Sequence, residues 1–553
     1  NTDIEDIENT MSIINSSVGT LQNTLFNFKV SGNKQLDVGL LAGGLKMTAV
    51  SGNSVGSLTS SVVSKNIDLN IVLNNFTNSV SVSMYASGLI GVVEDCNIED
   101  NVSFHTIKVS EQSGISNKNA NLYLAGLVGK YLLSAEDTGR KIVNCDVSSN
   151  IISTVSSASS TTASAGIALV ETVNNVYIEQ CLFTGSISTI GNANVGGAIG
   201  YAYKSTGKTK INLDQIVSSV DISSKFGKLQ SEETETAYIG GLVGRVDGSL
   251  ILSNSINIGK ITPSAESNVN YYIGGLAGLT ENVVLATGSY SFSLSSILAN
   301  GLKGETITQV LPSANNTTTF RKMGALFGFI NSTKVGQSSN YNMFVGEAST
   351  SNFYQTNADK NSLTSDLFYS TDMALQPEDT MLGTNLSAGT LINSMSYQTK
   401  VLESGVWANT ASTTSNVPYI TSMRTSMRQF EIFENATDDY KSGLVANPKR
   451  VYTGSDQVMY YLVGDNFNIA NTFTGIAVGN GNVIKTGNAF YINNLGDSSS
   501  SNGYSAISNI HIKYENFDVT RPLVNVNFGT IFNCSIIGSI NSVANTSADG
   551  KGT

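Results

Sequence analysis

The pattern of apolar and polar positions along the chain is the first guide to its fold. Stretches such as "VYIEQCLFTGSIST" and "ILSNSINIGKIT" alternate apolar and polar residues over short runs bounded by glycine, asparagine and serine. Alternation with a period of two is typical of β-strands. No stretch keeps the capped 3.6-residue period of an amphipathic helix. The sequence therefore predicts a nearly all-β chain.

A short phrase, Gly-Leu-x-Gly, recurs through this pattern, and we call it the key. Its clearest copies place glycines at Gly88 and Gly91, Gly126 and Gly129, Gly197 and Gly200, Gly241 and Gly244, and Gly275 and Gly278. Degenerate copies start at Gly39, Gly166 and Ala325, and successive copies lie 31 to 50 residues apart. Stacked repeats tolerate such variation because inserted residues loop out. We therefore expect a repeat β-solenoid, similar to a parallel β-helix. Glycine would allow positive φ and close backbone approach at its corners.

The cysteines follow the keys in a regular way. Cys96, Cys145, Cys181 and Cys534 each precede an apolar residue six positions further on. We expect them to stack in one column of small, buried, reduced thiols. Disulfides between adjacent repeats are the alternative.

This repeat resembles that of the GLUG-repeat proteins, which are named for the Gly-Leu-x-Gly key. The residues that carry the resemblance most clearly are Gly240–Gly244, Ile251, Asn254, Ser255, Gly259 and Ile261. The resemblance covers about residues 18–345 and 455–553. The family consists of surface and secreted proteins, and its repeats also occur in a region of immunoglobulin-A metallopeptidases. The resemblance thus implies an extracellular or cell-surface location.

The same resemblance suggests how the chain is divided. Trp407 and Pro418-Tyr419-Ile420 are similar to the segment that closes a family array, and Gly479-Asn480-Gly481 to the segment that opens one. We expect a first array over 1–350, a non-repetitive closing or capping segment over 351–425, and the start of a truncated second array over 426–553.

Composition and charge narrow the classes of partner. Charged residues make up 13% of the 553 residues, and the net charge is -11. An acidic chain repels phosphates, so we expect no nucleic-acid partner. No apolar run reaches the ~20 residues that a membrane-spanning helix needs, so we expect no membrane insertion within this sequence. The chain begins at Asn1 rather than at Met and ends in "ADGKGT", which suggests a fragment of a longer protein.

A search for catalytic motifs finds none. The histidines, His105 and His511, are far apart in sequence and neither stands in a His-Glu-x-x-His motif. The peptidase activity of the metallopeptidases therefore does not carry over, and both histidines are interpreted as core or surface residues. The loop around Gly207-Lys208-Thr209 lacks the first glycine of a phosphate-binding loop. We expect no enzymatic activity, no cofactor and no metal site.

Candidate sites for N-glycosylation are frequent in this Asn- and Ser-rich sequence. They are Asn15, Asn75, Asn101, Asn315, Asn316, Asn331, Asn385, Asn435 and Asn545. Asn533 also lies in a sequon, but its place beside Cys534 makes it a poor candidate.

The functional prediction that follows is a non-catalytic extracellular protein that forms a rod or filament in a surface appendage, sheath or coat. Self-association or other surface proteins are the expected partners. One alternative is an adhesin that binds a host glycan or protein through inserted loops. Another is the scaffold region of a larger secreted enzyme.

Overall fold

A computed structural model describes the strands of the chain and the turns between many of them. The described residues are 3–4, 12–14, 25–30, 36–46, 56–59, 62–73, 82–111, 120–133, 140–155, 162–191, 194–204, 207–226, 236–257, 259–265, 270–285, 290–293, 321–324, 326–331, 341–344, 354–356, 367–369, 384–385, 407–408, 419–420, 430–433, 459–462, 468–473, 476–478, 483–486, 491–495, 506–508, 511–514, 522–528, 530–532 and 534–538. Strands take up 79% of the described residues, which contain no helix. The prediction of an all-β chain is therefore confirmed.

The chain divides into two compact units, Asn1–Asn385 and Leu386–Thr553. Three strands of the predicted closing segment, at 354–356, 367–369 and 384–385, belong to the first unit and extend its large sheet. The expected boundaries near residues 350 and 425 stay a prediction.

The described part of the first unit contains 34 strands. They are β1 (Asp3–Ile4), β2 (Ser12–Ile14), β3 (Leu25–Val30), β4 (Leu36–Gly39), β5 (Ala42–Lys46), β6 (Gly56–Thr59), β7 (Val62–Leu73), β8 (Val82–Ser87), β9 (Ile90–Glu94), β10 (Cys96–Glu99), β11 (Val102–Glu111), β12 (Ala120–Ala125), β13 (Val128–Leu132), β14 (Lys141–Val143), β15 (Asp146–Ser153), β16 (Thr162–Gly166), β17 (Leu169–Val173), β18 (Val176–Ile190), β19 (Asn194–Gly196), β20 (Ile199–Tyr203), β21 (Thr209–Phe226), β22 (Thr236–Gly240), β23 (Val243–Ser253), β24 (Ile256–Asn257), β25 (Ser264–Ala265), β26 (Asn270–Gly274), β27 (Ala277–Leu285), β28 (Tyr290–Ser293), β29 (Arg321–Gly324), β30 (Phe327–Ile330), β31 (Tyr341–Phe344), β32 (Tyr354–Thr356), β33 (Leu367–Tyr369) and β34 (Thr384–Asn385).

These strands form two sheets in which every pairing is parallel. The eight-stranded sheet runs in the order β4-β8-β12-β16-β19-β22-β26-β29. Most of the 26 strands of the larger sheet belong to three series. The first is β5-β9-β13-β17-β20-β23-β27-β30, the second is β6-β10-β14-β18-β21-β23, and the third is β7-β11-β15-β18-β21-β24-β28-β31. Each strand pairs with the strand one repeat later, so a repeat passes through the eight-stranded sheet and then through each series in turn.

The core lies between these sheets and continues from repeat to repeat. Inward positions carry Leu, Ile, Val and Ala, as at Leu122 and Leu124 in β12 and Ile239 in β22, all 0% exposed. Because no repeat can bury its own apolar face, stacking with its neighbours creates the core.

The key forms the corner between the eight-stranded sheet and the first series, and we call it the key corner. Its leucine points into the core, as at Leu89, Leu127 and Leu242. None of the described key glycines has a positive φ, which corrects the expected left-handed conformation. Close approach is confirmed: a Cβ on Gly241 would lie 2.0 Å from Nδ2 of Asn257 and 2.1 Å from the carbonyl oxygen of Gly275.

The corner between the second and third series is built differently, and we call it the left-handed corner. One non-glycine residue in each of five repeats has a positive φ there: Asp100, Asn144, Gln180, Gln215 and Asn254, with φ between 42° and 59°. Asparagine and aspartate adopt this conformation more readily than most residues because their short polar side chains bond locally. The Nδ2 of Asn254, for instance, donates to Oδ1 of Asp214 over 3.2 Å.

Strand pairing also corrects the register of two degenerate keys. Gly39 pairs with Ser87, and Gly166 pairs with Ala125. Both glycines therefore precede the key corner by one residue. Ile167, not Gly166, stands opposite Gly126, because the N–H of Leu127 donates to the carbonyl of Ile167.

Among its described residues, the second unit contains thirteen strands. They are β35 (Trp407–Ala408), β36 (Tyr419–Ile420), β37 (Phe430–Phe433), β38 (Met459–Leu462), β39 (Asn468–Phe473), β40 (Ile476–Val478), β41 (Val483–Thr486), β42 (Tyr491–Leu495), β43 (Ala506–Ser508), β44 (His511–Tyr514), β45 (Val524–Asn527), β46 (Thr530–Phe532) and β47 (Ser535–Ile537). β35 and β36 pair antiparallel, whereas the others form three parallel sheets, β37-β38-β40-β43-β46, β39-β42-β45 and β41-β44-β47.

Candidate functional site

His105 lies in the core rather than at a surface site. Its Nδ1 is 2.8 Å from Oγ of Ser103 and its Nε2 is 2.9 Å from Oγ of Ser149. The ring fills the space beside Gly88, where a Cβ would come within 2.0 Å of its Cε1. Burial lowers the pKa of His105 to about 3, so the ring is neutral near pH 7. It is 0% exposed, and no substrate reaches it.

His511 lies in β44, and its side chain falls outside the described part of the chain. Within the residues that the structure describes, no group of three or more His, Cys, Asp or Glu side chains could hold a metal ion. The same residues contain no helix long and apolar enough to cross a membrane.

The cysteines do not share one column. Cys145 and Cys181 follow the left-handed corner in adjacent repeats, in a column that also holds Asn101, Ile216 and Ser255. Cys96 instead begins β10 and pairs with Gly56, so the expectation of a single column is wrong for Cys96. Burial, aided by Asp95, raises the pKa of the Cys96 thiol to about 12. No disulfide joins any of the cysteines.

One glycosylation candidate is corrected by this register. Asn101 is 0% exposed, and its Nδ2 donates to the carbonyl of Glu99 over 2.8 Å, so it has no room for a glycan in the folded chain. Asn331 is exposed at the end of β30. For Asn385 only the backbone is described, in β34. Asn15, Asn75, Asn315, Asn316, Asn435, Asn533 and Asn545 lie outside the described residues.

A row of aromatic and charged side chains follows the outer surface beside the key corner, and we call it the aromatic seam. It consists of Tyr85, Tyr123, Lys130, Glu171, Tyr201, Tyr203, Tyr238, Arg245, Asp247, Tyr272, Lys322 and Phe329. These residues occupy outward positions of the eight-stranded sheet and of the first series. Most are partly exposed, whereas Tyr85 and Glu171 are buried.

Neighbouring repeats stack tyrosine rings on one another. Tyr85 and Tyr123 have ring centroids 4.5 Å apart at an angle of 11°, and Tyr238 and Tyr272 are 5.2 Å apart at 3°. Both pairs are register partners in adjacent strands of the eight-stranded sheet. Such pairs add about 0.5–1.5 kcal/mol beyond burial of their area. The stacking therefore ties one repeat to the next along the outer surface.

Between these two pairs, the aromatic side chains of the seam come from the first series instead of the eight-stranded sheet. The eight-stranded sheet carries Ser164 and Asn194 in the two intervening strands. The first series supplies Tyr201 and Tyr203, whose rings stack with centroids 5.0 Å apart. Small residues on one sheet thus coincide with large residues on the other.

Arg245 connects the two sides of the seam. Its guanidinium lies 4.9 Å from the ring centroid of Tyr201 and 4.8 Å from that of Tyr238. Asp247 accepts from Nε over 2.7 Å and from Nη2 over 3.1 Å, and it accepts from the Tyr201 hydroxyl over 2.6 Å. Burial disfavours the charged guanidinium, but Tyr238 and Asp247 outweigh it and raise the pKa of Arg245.

Among the earlier repeats, Glu171 likewise connects side chains of the seam that come from different strands. It is 3% exposed and lies 2.7 Å from Nζ of Lys130. The hydroxyls of Tyr203 and Tyr85 donate to it over 2.9 and 3.2 Å. Burial and the Glu171 carboxylate raise the pKa of both tyrosines, so they remain protonated donors at neutral pH.

The seam offers a line of hydroxyl and guanidinium donors and aromatic edges, but its carboxylates are occupied by its own cations and hydroxyls. The ring stacking and the Lys130–Glu171 ion pair of the seam therefore connect neighbouring repeats along the outer surface. Sequence reasoning did not find the seam, although a signal existed: Tyr85, Tyr123, Tyr238 and Tyr272 each stand three residues before the first key glycine.

Comparison of the chain with protein-family models, with curated proteins and with solved structures finds no match. The resemblance to the GLUG repeat accordingly stays a prediction based on the residues that carry it.

Proposed function

We propose that the first unit is a β-solenoid that serves as a non-catalytic structural rod. The observation that carries this proposal is the strand order: successive repeats add one strand to the eight-stranded sheet and then extend the series of the larger sheet, with β18, β21 and β23 each spanning two series, and every pairing is parallel. In a chain with this order, each repeat forms one coil that stacks on the coil of the previous repeat. Its length then grows by one strand spacing, ~4.8 Å, for each repeat added.

A rod of this kind suits an extracellular or cell-surface appendage, sheath or coat. The continuous core from Val38 to Ile330 supports a stiff object, because each repeat is held by its neighbours on both sides. The outer positions of the series carry Ser, Thr, Asn and charged residues, which keep the rod hydrated. We propose self-association or other surface proteins as its partners.

Electron microscopy of the purified chain tests this function. We expect particles of constant width and, at high protein concentration, end-to-end filaments with a uniform repeat. A globular particle would contradict the rod, whereas rods that remain single at every concentration would contradict the filament alone.

The aromatic seam favours a second candidate, an adhesin that binds a glycan or protein along the rod. Tyr123, Tyr272 and Arg245 remain partly exposed and combine aromatic surface with donors, which is the composition of many recognition surfaces. Binding to an array of neutral and acidic glycans tests it. Loss of binding in Tyr272→Ser but not in Lys208→Ala would support the seam. Loss only on trimming the loops at 203–210 or 303–320 would indicate binding there instead; the whole of 303–320 lies outside the described residues.

The third candidate, the scaffold of a larger secreted enzyme, remains a proposal of lower rank. It predicts hydrolytic activity only when further domains are attached. Activity of the present chain alone would contradict the non-catalytic function.

A further inference from the structure

Cys145 and Cys181 stand beside one another in adjacent repeats. Leu182 donates its N–H to the carbonyl of Cys145 over 2.9 Å, and Asp146 and Leu182 are register partners, so the two cysteines occupy equivalent positions. Adjacent parallel strands lie about 4.8 Å apart. A disulfide spans a Cα–Cα distance of about 4.4–6.8 Å. The backbone spacing therefore suits a bond between them.

The two sulfurs point in the same direction along the stack. Sγ of Cys181 lies 3.4 Å from the backbone nitrogen of Cys145 and thus already faces the repeat of Cys145. Sγ of Cys145 faces the preceding repeat, 3.8 Å from the carbonyl oxygen of Ile98. Rotation of the Cys145 side chain about χ1 would turn its sulfur towards Cys181. Closing the pair therefore requires the Cys145 side chain to turn away from the carbonyl oxygens of Ile98 and Val143.

No other pair in this column has the same chemistry. The neighbouring positions hold Asn101 on one side and Ile216 on the other, and Cys96 pairs with Gly56 in the second series. The position also accepts a hydroxyl, since Ser255 occupies it two repeats beyond Cys181.

We propose that Cys145 and Cys181 form a redox-controlled cross-link between neighbouring repeats, closed by a small-molecule disulfide and opened by a small-molecule thiol. With oxidised glutathione, one protein thiolate attacks a glutathione sulfur, forms a mixed disulfide and releases one glutathione thiolate. The second protein thiolate then attacks the protein sulfur of the mixed disulfide and releases the other. Two cysteines are oxidised, one glutathione disulfide is reduced to two thiols, and the two cysteine protons pass to glutathione.

Burial controls when this exchange occurs. Both cysteines are 0% exposed, so glutathione reaches them only while the corner forms or opens. The redox state is consequently set as the chain folds and is protected afterwards. The presence or absence of the Cys145–Cys181 bond would thus reflect the redox potential of the compartment in which the chain folded.

Refolding in glutathione buffers of graded redox ratio tests this cross-link. After alkylation, peptide mass mapping should show a Cys145–Cys181 bond whose fraction rises with the oxidised share, while Cys96 and Cys534 are alkylated. The oxidised chain should melt at a higher temperature than the reduced chain, and a phosphine should remove the difference. Four alkylated cysteines at every ratio, a bond that involves Cys96, or an oxidised form that melts lower would overturn the proposal.

Two variants separate the cross-link from general effects on folding. Cys181→Ser should fold, because the column already contains Ser255, and it should lose the redox-dependent melting shift. Cys96→Ser should keep both the shift and the cross-linked peptide. Circular dichroism of both variants checks that the strands have formed, and an unaltered shift in folded Cys181→Ser would contradict the assignment.

Discussion

The key corner and the left-handed corner turn the same chain in the same repeats but solve the problem in different ways. At the key corner the described glycines have ordinary φ values, and what matters is the missing side chain. At the left-handed corner asparagine, aspartate and glutamine adopt positive φ and keep their side chains. One corner is limited by space and the other by backbone conformation, so a substitution to valine should destabilise both corners for different reasons and by different amounts.

The largest effect is expected at the key corner. Gly241→Val would place a Cβ 2.0 Å from Asn257 and 2.1 Å from a backbone carbonyl, so we expect a loss of about 3 kcal/mol or more in the free energy of unfolding. Gly44→Val is the matched control, because its Cβ would meet nothing closer than 3.9 Å and its register partner is Val92. Chemical denaturation measures both. Equal stability of the two variants would refute the spatial role of the key glycine.

The next effect depends on pH and concerns the histidine packed against the key corner. The pKa of His105 is lowered from 6.5 to about 3, so the unfolded chain binds a proton that the folded chain does not. Stability should therefore fall as the pH drops from 6.5 towards 3, with no further loss from this group below that range. At pH 5, His105 alone should lower the free energy of unfolding by about 2 kcal/mol relative to its value well above pH 6.5. His105→Gln should show a shallower decline of unfolding free energy over this range, and an unchanged slope would contradict the buried neutral ring.

A smaller effect is expected at the left-handed corner. Asn254→Val should lose about 1–2 kcal/mol, because a β-branched residue resists positive φ. Asn254→Gly should lose less, since glycine adopts this conformation freely. Asn254→Gly should therefore unfold at a higher urea concentration than Asn254→Val. A more stable valine variant would show that φ does not govern this corner.

The smallest effect is expected in the aromatic seam. Arg245→Ala removes two ring contacts and the ion pair with Asp247, but the Arg245 side chain is 30% exposed, so we expect a loss of about 0.5–1 kcal/mol in the free energy of unfolding. Lys208→Ala is the control, since its ion pair with Glu281 leaves the lysine side chain 74% exposed. A similar melting temperature for both variants would assign the seam to ligand contact rather than to stability.

The sequence allowed prediction of the strands, the key and the small residues at the turn because these depend on local alternation and on steric exclusion. It misplaced Cys96 because the apolar residue six positions after Cys96 is not equivalent to the one after Cys145: Val102 pairs with Asp146, whereas Ile151 pairs with Ile107. The same local spacing thus occurs at two different corners. The seam escaped prediction because it joins residues of different repeats across two sheets, and only strand register shows that Ser164 and Asn194 stand in line with Tyr123 and Tyr238.

The parallel register between repeats has a consequence for how such a protein changes over generations. A strand that pairs with the equivalent strand of its neighbour can equally pair with a duplicate of that neighbour, since both present the same backbone groups. Gain or loss of a whole repeat would therefore lengthen or shorten the proposed rod in steps of ~4.8 Å without redesign of any interface. Gene duplication could then adjust the length of the proposed rod by whole repeats.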